Sequence, residues 1–203
     1  LVIQSTSICF GLLAGGKSSR MGTDKASLHW RGVPLWRHQL CLAAAIGADE
    51  ILISGRPDGP YREAAVVVTD ELADAGPLAG LASLLAAMQS EWLVAVAVDM
   101  PFLDGATLRE LLAARAGRTG VVPHVNGHAE PLASVYPRTV QSLISRRLRL
   151  ADRSLQSFVR EAEAAGLVRL HPWPAELIDS FRSLNTSAEY AAAQALARTF
   201  SAG

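Results

Sequence analysis

Three features of this 203-residue chain predict a single three-layer α/β/α domain on a mostly parallel sheet. Short apolar runs alternate with helical patterns along nearly its whole length. The run over residues 93–98 has no polar break, as expected of a strand covered on both faces. A glycine-rich, basic, hydroxyl-bearing loop follows the first apolar run. That is where an α/β protein receives phosphate, because glycine lets backbone N–H groups approach anionic oxygens unobstructed.

Taken in order, residues 8–13 read as the first strand, and a helix follows over 34–46. Residues 50–54 and 65–69 are strands. A helix over 77–89 opens on Pro77, whose fixed φ and missing N–H suit the first helical position. After strand 93–98, Asp104 is placed to N-cap a helix reaching Arg115. Residues 121–124 and 131–136 are strands, and Asn126-Gly127 before the second reads as a hairpin turn. Helices over 138–150 and 154–165 and a short strand over 167–171 come next. Thr186-Ser187-Ala188-Glu189 is a capping box opening a last helix over 188–198. His171-Pro172-Trp173-Pro174 is the most irregular segment. With no repeat and no Pro- or Ser-rich linker, one domain is expected over 1–203, its core at about 8–198.

The bulk numbers narrow the function. Half the residues are apolar, which excludes disorder, and the formal net charge is zero. A neutral chain lacks the basic surface that nucleic acid requires, though a local basic pocket for one nucleotide remains open. No apolar run approaches membrane-spanning length, so no membrane role is expected. Residues 1–7 carry no basic n-region or cleavage signal, although a chain starting at Leu1 reads as trimmed. Cys9 and Cys41 both fit buried apolar positions, without C-x-x-C spacing for zinc or redox chemistry. A reducing, cytoplasmic location is expected. The oligomeric state stays open.

The loop itself reads Leu12-Leu13-Ala14-Gly15-Gly16-Lys17-Ser18-Ser19-Arg20-Met21-Gly22-Thr23-Asp24-Lys25. It is not a Walker loop, since Gly22 is followed by Thr23-Asp24 rather than Lys, and adjacent Gly15-Gly16 break the dinucleotide spacing. No G-x-S-x-G occurs, so no serine-hydrolase elbow is expected. His124 and His128 flank the hairpin turn instead of sharing a helix face, which removes a zinc reading. The four tryptophans are scattered and read as packing residues. Ligands in open α/β sheets bind at the carboxyl ends of strands, and Gly15, Asp70 and Asp99 all follow strand ends. They are therefore expected to converge on one crevice. Asp99 is the best carboxylate for a hard cation such as Mg²⁺, whereas Asp104 is better explained as a cap. Arg20 and Lys25 supply the charge a triphosphate needs. Asp70 can accept from a base or ribose hydroxyl, or close an Asx-turn.

The pattern L-A-G-G-x-S-x-R-M-G-x-D-K resembles the signature loop of nucleotidyltransferases with a nucleotide-diphospho-sugar transferase-like, Rossmann-like fold. It is most similar to the molybdenum cofactor guanylyltransferase (MobA-like) family. Asp70 followed by Gly76-Pro77-Leu78-Ala79-Gly80, Asp99-Met100-Pro101-Phe102, Glu130 through Tyr136 and Leu184-Asn185-Thr186 resemble that family's later segments. Together they span residue 8 to about 190. The resemblance implies a Mg²⁺-dependent enzyme that joins the GMP part of GTP to the phosphate of molybdopterin and releases pyrophosphate. It implies nucleotide contacts from Leu13, Ala14, Gly15, Gly16, Ser18, Arg20, Lys25, Ser54, Asp70, Pro77, Leu78, Gly80 and Asp99. Arg20, Lys25 and Asp99 would be catalytic, with Asp99 holding the metal. Glu130, Arg153, Ser154 and Asn185 would face the acceptor, although Arg153 also suits a solvated basic face.

Gly16 and the complete 76–80 segment go with guanine in that family, whereas cytosine-using relatives tend to carry L-A-A-G. Two positions depart from the pattern, Ser54 and Ser183, where the family often places Asn. A cytidylyltransferase for the same pterin and a guanylyltransferase for another phosphorylated small molecule stay open. So does a non-catalytic nucleotide-binding partner, and with it transient contact with molybdoenzyme chaperones.

Overall fold

A computed structural model describes residues 6–15, 25–69 and 76–199. Strands β1 (Ile8–Leu13), β2 (His29–Trp30), β3 (Val33–Pro34), β4 (Glu50–Ser54) and β5 (Val66–Val68) precede β6 (Trp92–Ala97). Strands β7 (Gly120–Val125), β8 (His128–Ala129), β9 (Ala133–Pro137) and β10 (Val168–Pro172) follow. The α-helices are α1 (Leu35–Ala45), α2 (Pro77–Ala87), α3 (Gly105–Ala113), α4 (Gln141–Arg147), α5 (Leu155–Ala164) and α6 (Ser187–Thr199). The main sheet runs β10-β7-β9-β6-β1-β4-β5, with β8 paired to β7. Only β8 and β9 run antiparallel to their neighbours in it. The three-layer, mostly parallel architecture expected from the alternating pattern is the one observed.

Why the sheet is buried twice is visible in its period-two pattern. Phe10, Leu12, Trp92, Val94 and Val96 join one core with Leu35 and Leu42 of α1, Leu108 and Leu111 of α3 and Tyr190 of α6. Cys9, Leu13, Leu93 and Ala95 join the other with Leu81 and Leu84 of α2, Ile144 of α4 and Phe158 of α5. Alternate residues of one strand thus serve opposite helical layers. Each fully buried aliphatic or aromatic side chain contributes about 1.5–3 kcal/mol. All four tryptophans are buried, so the packing reading holds.

Helix ends follow their local chemistry. Asp104 accepts from Thr107 N at 2.8 Å and caps α3, and Pro77 opens α2 behind Gly76. Glu189 N donates to Thr186 Oγ1 at 3.1 Å, and Thr186 N donates back to Glu189 Oε2 at 3.1 Å. That is the capping box in both directions. Asn126 and Gly127 take φ of 48° and 81°, the left-handed pair that a two-residue hairpin turn needs. A buried Arg147 on α4 bonds Asp152 at 2.6 Å and Glu161 of α5 at 3.0 Å, tying these helices together. The Arg147 hydrogen bond is the main reason that the Glu161 carboxyl is held below its ordinary value.

Two expectations need correction, and one small element goes unread in the sequence. Cys41 is exposed, its Sγ turned to Arg37 O. The stretch 40–46 is apolar almost all round, so its helical phase cannot be read, and Gln39 rather than Cys41 faces the core. The helix expected over 138–150 is a 3₁₀ turn, Arg138–Val140, followed by the shorter α4. The small β2–β3 hairpin escapes the sequence reading. Its strands are two residues long, and Arg31 holds a φ of 50° unusual for a non-glycine residue.

Gly80 lets α2 lie close on the sheet at the end that matters below. A Cβ there would stand 2.6 Å from Ser54 Oγ and 3.3 Å from Leu13 Cδ2. Ser54 is buried and has little room to give. Gly80→Ala should therefore cost about 1–3 kcal/mol by overpacking, read as a lower urea midpoint at unchanged m-value.

Candidate active site

The site begins where β1, β4 and β6 end side by side, with Leu13 paired to both Ser54 and Ala97. Beyond those ends the chain is held by single bonds. Ala14 N and Gly15 N both donate to Ser54 O, at 2.9 and 3.0 Å, and Val98 N donates to Leu13 O at 3.1 Å. The N–H groups of Ala14 and Gly15 are thus engaged by β4, and their carbonyls have no hydrogen-bond partner among the described residues. Arg56 N donates to Tyr61 OH at 2.9 Å just past β4. Gly55 admits that phenol, since a Cβ there would lie 2.0 Å from its oxygen. Tyr61 was not singled out from sequence, because one tyrosine in a turn carries no motif.

Asp99 follows β6 by two residues, and its carboxylate is the centre of the site. Lys25 Nζ donates to Asp99 Oδ2 at 2.7 Å and to Asn185 Oδ1 at 3.0 Å. Side-chain exposures of 22% for Lys25 and 18% for Asp99 leave the pair partly desolvated yet reachable from solvent. Charge-assisted bonds in such surroundings are short and strong. The far side is fixed by Leu184 N, which donates to Asp99 O at 2.9 Å. Asn185 N donates to Glu189 Oε2 at 2.7 Å, so the capping box of α6 also holds the Asn185 backbone in place. The Glu189 carboxyl is held below its ordinary value first by the Asn185 N–H and then by that of Thr186. Lys25, Asp99 and Asn185, each named from sequence, meet at one point.

Glu130 lies on the same edge. Ala97 N donates to Leu132 O at 2.9 Å, continuing the β6–β9 register that pairs Val96 with Ala133. Ala133 N donates to Glu130 O at 3.3 Å, so the chain turns just before β9 with Glu130 at the start of that turn. Ser134 Oγ donates to Glu130 O at 2.6 Å, while the carboxyl itself has no partner among the described residues. Burial pushes that carboxyl above its ordinary value.

The remaining sequence-named residues divide. Pro77 is exposed at the start of α2, whereas Leu78 is fully buried, so only its backbone can meet a ligand. Ser54 is buried against Gly80. Ser154 accepts from Ser157 N and caps α5, and Arg153 Nε donates to Leu148 O at 3.1 Å. Both close the α4–α5 turn, and no hydrogen bond joins them to Lys25, Asp99 or Asn185 among the described residues. Gly16, Ser18, Arg20 and Asp70 lie outside the described residues. Among the described residues no three His, Cys, Asp or Glu side chains cluster as a metal site, and no helix is long and apolar enough to cross a membrane.

Known proteins share the sequence and fold of this chain. The family model of the MobA-like NTP transferase domain matches residues 11–166. A probable molybdenum cofactor guanylyltransferase of Opitutus terrae is 40% identical over 171 residues, 82% of each chain. A molybdenum cofactor guanylyltransferase of Pseudomonas aeruginosa is 39% identical over 149 residues, 70% of this chain and 75% of that one. Among solved structures, molybdopterin-guanine dinucleotide biosynthesis protein A of Archaeoglobus fulgidus superposes with a TM-score of 0.75. It covers 94% of this chain and 99% of its own at 20% identity, which speaks for the fold alone. Fold, relatives and the lysine–carboxylate–amide cluster at the strand ends define an enzyme of the nucleotidyltransferase class. The chain belongs to the MobA-like NTP transferase family.

One consequence concerns Glu130. Its folded-state pKa is raised, so its charged form costs stability as pH rises through that value, and the cost is absent below the ordinary value of 4.5. Glu130→Gln should raise Tm at pH 7–8 and make no difference near pH 4, followed by thermal melts across that range.

Proposed function

We propose that this enzyme transfers GMP from GTP to the phosphate of molybdopterin or the molybdenum cofactor, with Mg²⁺, and releases pyrophosphate. The observation that carries this reading is the meeting of Lys25, Asp99 and Asn185 beyond the central strands, in a chain whose relatives are named molybdenum cofactor guanylyltransferases. An acceptor phosphate oxygen attacks the α-phosphorus, the bond between the α- and β-phosphates breaks, and the electron pair leaves with pyrophosphate. The acceptor is itself the nucleophile, so no covalent enzyme intermediate is needed.

The donor set suits a hard cation. Two oxygens, from the Asp99 carboxylate and the Asn185 amide, already converge on one positive charge, the Lys25 ammonium. Mg²⁺ typically takes one or two protein oxygens and completes its octahedron with phosphate and water. Asp99 would hold it, with Asn185 beside it, and the ion would supply charge opposite the triphosphate oxygens. Lys25 can exchange Asp99 for a phosphate on its flexible stem, which places a mobile cation at the reacting group. The carbonyls of Ala14 and Gly15, without a partner among the described residues, suit the N–H donors of a guanine edge. Gly16, Ser18, Arg20 and Asp70 complete the nucleotide side in this reading, with Arg20 as a second catalytic cation. Pro77, Leu78 and Gly80 contribute backbone at the start of α2. Glu130, Arg153 and Ser154 belong to the acceptor side.

Asp99→Ala should lower kcat by a hundredfold or more, on the order of the loss seen when one charge-stabilising group is removed. Its far-UV spectrum should stay unchanged. Lys25→Met should lower kcat by about the same factor. Thermal melts with GTP, CTP, UTP and ATP, each with and without Mg²⁺, should show a shift selective for Mg²⁺ and GTP. A shift selective for CTP would replace the guanylyl reading by a cytidylyl one, and pyrophosphate release without molybdopterin dependence would remove the acceptor.

A further inference from the structure

The three carbonyls that begin at Asp99 are held from two sides, by the segment before α6 and by α1. Asp99 O accepts from Leu184 N at 2.9 Å. Met100 O accepts from Gln39 Nε2 at 2.6 Å and from Leu103 N at 3.2 Å. Pro101 O lies 3.1 Å from His38 Nε2. Two of these anchors, His38 and Gln39, are neighbours on α1, more than sixty residues away in sequence.

Gln39 is an odd residue for its position. It is fully buried, on the helix face that carries Leu35, Trp36, Leu42 and Ala43. Its Oε1 is buried with no hydrogen-bond partner among the described residues. An orphaned acceptor costs stability, and an apolar side chain of the same length would remove that cost. Nor does Met100 O need Gln39 to be satisfied, since Leu103 N already reaches it. His38 is half-buried, and burial keeps its imidazole below its ordinary pKa, so the neutral ring can offer Nε2–H to Pro101. The fold therefore carries two polar groups in α1 whose bonds go to the backbone beside Asp99.

We infer that His38 and Gln39 are positioning residues of the transfer reaction. They fix the backbone at 99–101 from the α1 side while Leu184 fixes it from the other. Between them they set where the Asp99 carboxylate stands against Lys25, Asn185 and a bound cation. This rests on the proposed function for the reaction it serves, but the placement of Asp99 can be read without it. Small displacements of a reacting group cost rate steeply, up to about a hundredfold for 1 Å.

The test uses Gln39→Met, His38→Phe and His38→Gln in the full chain. For each, Tm, kcat, KM for GTP and the affinity for Mn²⁺ by water-proton relaxation are measured, with Asp99→Ala as the zero for the metal. Gln39→Met should keep or raise Tm, lower kcat about tenfold or more, leave KM for GTP within about threefold, and weaken Mn²⁺ several-fold. His38→Phe should behave alike, and His38→Gln, which keeps a donor, should recover most of the loss. Unchanged kcat and Mn²⁺ affinity in Gln39→Met and His38→Phe would overturn the inference. So would losses that track a fall in Tm. A wild type that binds Mn²⁺ through Asp99 but forms no pyrophosphate with GTP and molybdopterin would sink the proposed function. The Mn²⁺ affinities of the variants would still decide the role of His38 and Gln39.

Discussion

The pairing of Lys25 with Asp99 closes this fold over its own site. The partners are 74 residues apart, and the second oxygen on the same ammonium, from Asn185, is 160 residues from Lys25. Those separations mean that β1, β6 and the start of α6 must all be in register before the cluster exists. In return the cluster holds the segment after β6 against the segment before α6, through Leu184 N on Asp99 O. Lys25 and Asp99 are both partly buried, and a charge-assisted bond in such a setting is strong.

The doubly covered sheet makes this placement rigid. Strands with alternate residues in two separate cores cannot slip by one position without exchanging both sets of side chains. The ends of β1, β4 and β6 are thereby fixed to one another, and the loops that leave them inherit that precision. Close approach of α2 at Gly80 tightens the same end. Groups on rigid elements hold reactive geometry better than groups on loops alone. Here Asp99 sits just past a strand, with backbone bonds on both sides.

Polar groups away from the cluster fall into two kinds. Asp104, Ser154, Thr186 and Glu189 satisfy helix ends and would be expected in any stable α/β domain. Glu130 and Gln39 do not fit that account: the Glu130 carboxyl is partly buried with no partner among the described residues, and Gln39 Oε1 is buried with none among them. Local costs of this sort gather at functional sites, where the surrounding structure can carry them. Gln39 bonds the backbone one residue past Asp99, and Glu130 stands two residues before Leu132, whose carbonyl accepts from Ala97 N.

Much of this was legible in the chain itself. Strong local signals gave the longer strands of the main sheet, the Pro77 helix start, the Asp104 cap, the capping box and the Asn126-Gly127 turn, since each depends on neighbouring residues alone. The loop and the strand-end rule pointed to Lys25 and Asp99, and the C-terminal segment to Asn185. Which oxygen met which cation was not legible, because contacts across such separations depend on strand order and helix packing. The face of Cys41 and the burial of Gln39 were hidden for a related reason. In a helix apolar nearly all round, only the layer packed against it decides which side is inside. Sequence fixed the local grammar and the kinds of groups at the strand ends. Tertiary structure alone decided their partners, since a hydrogen bond or ion pair depends on ångströms that no spacing along the chain encodes.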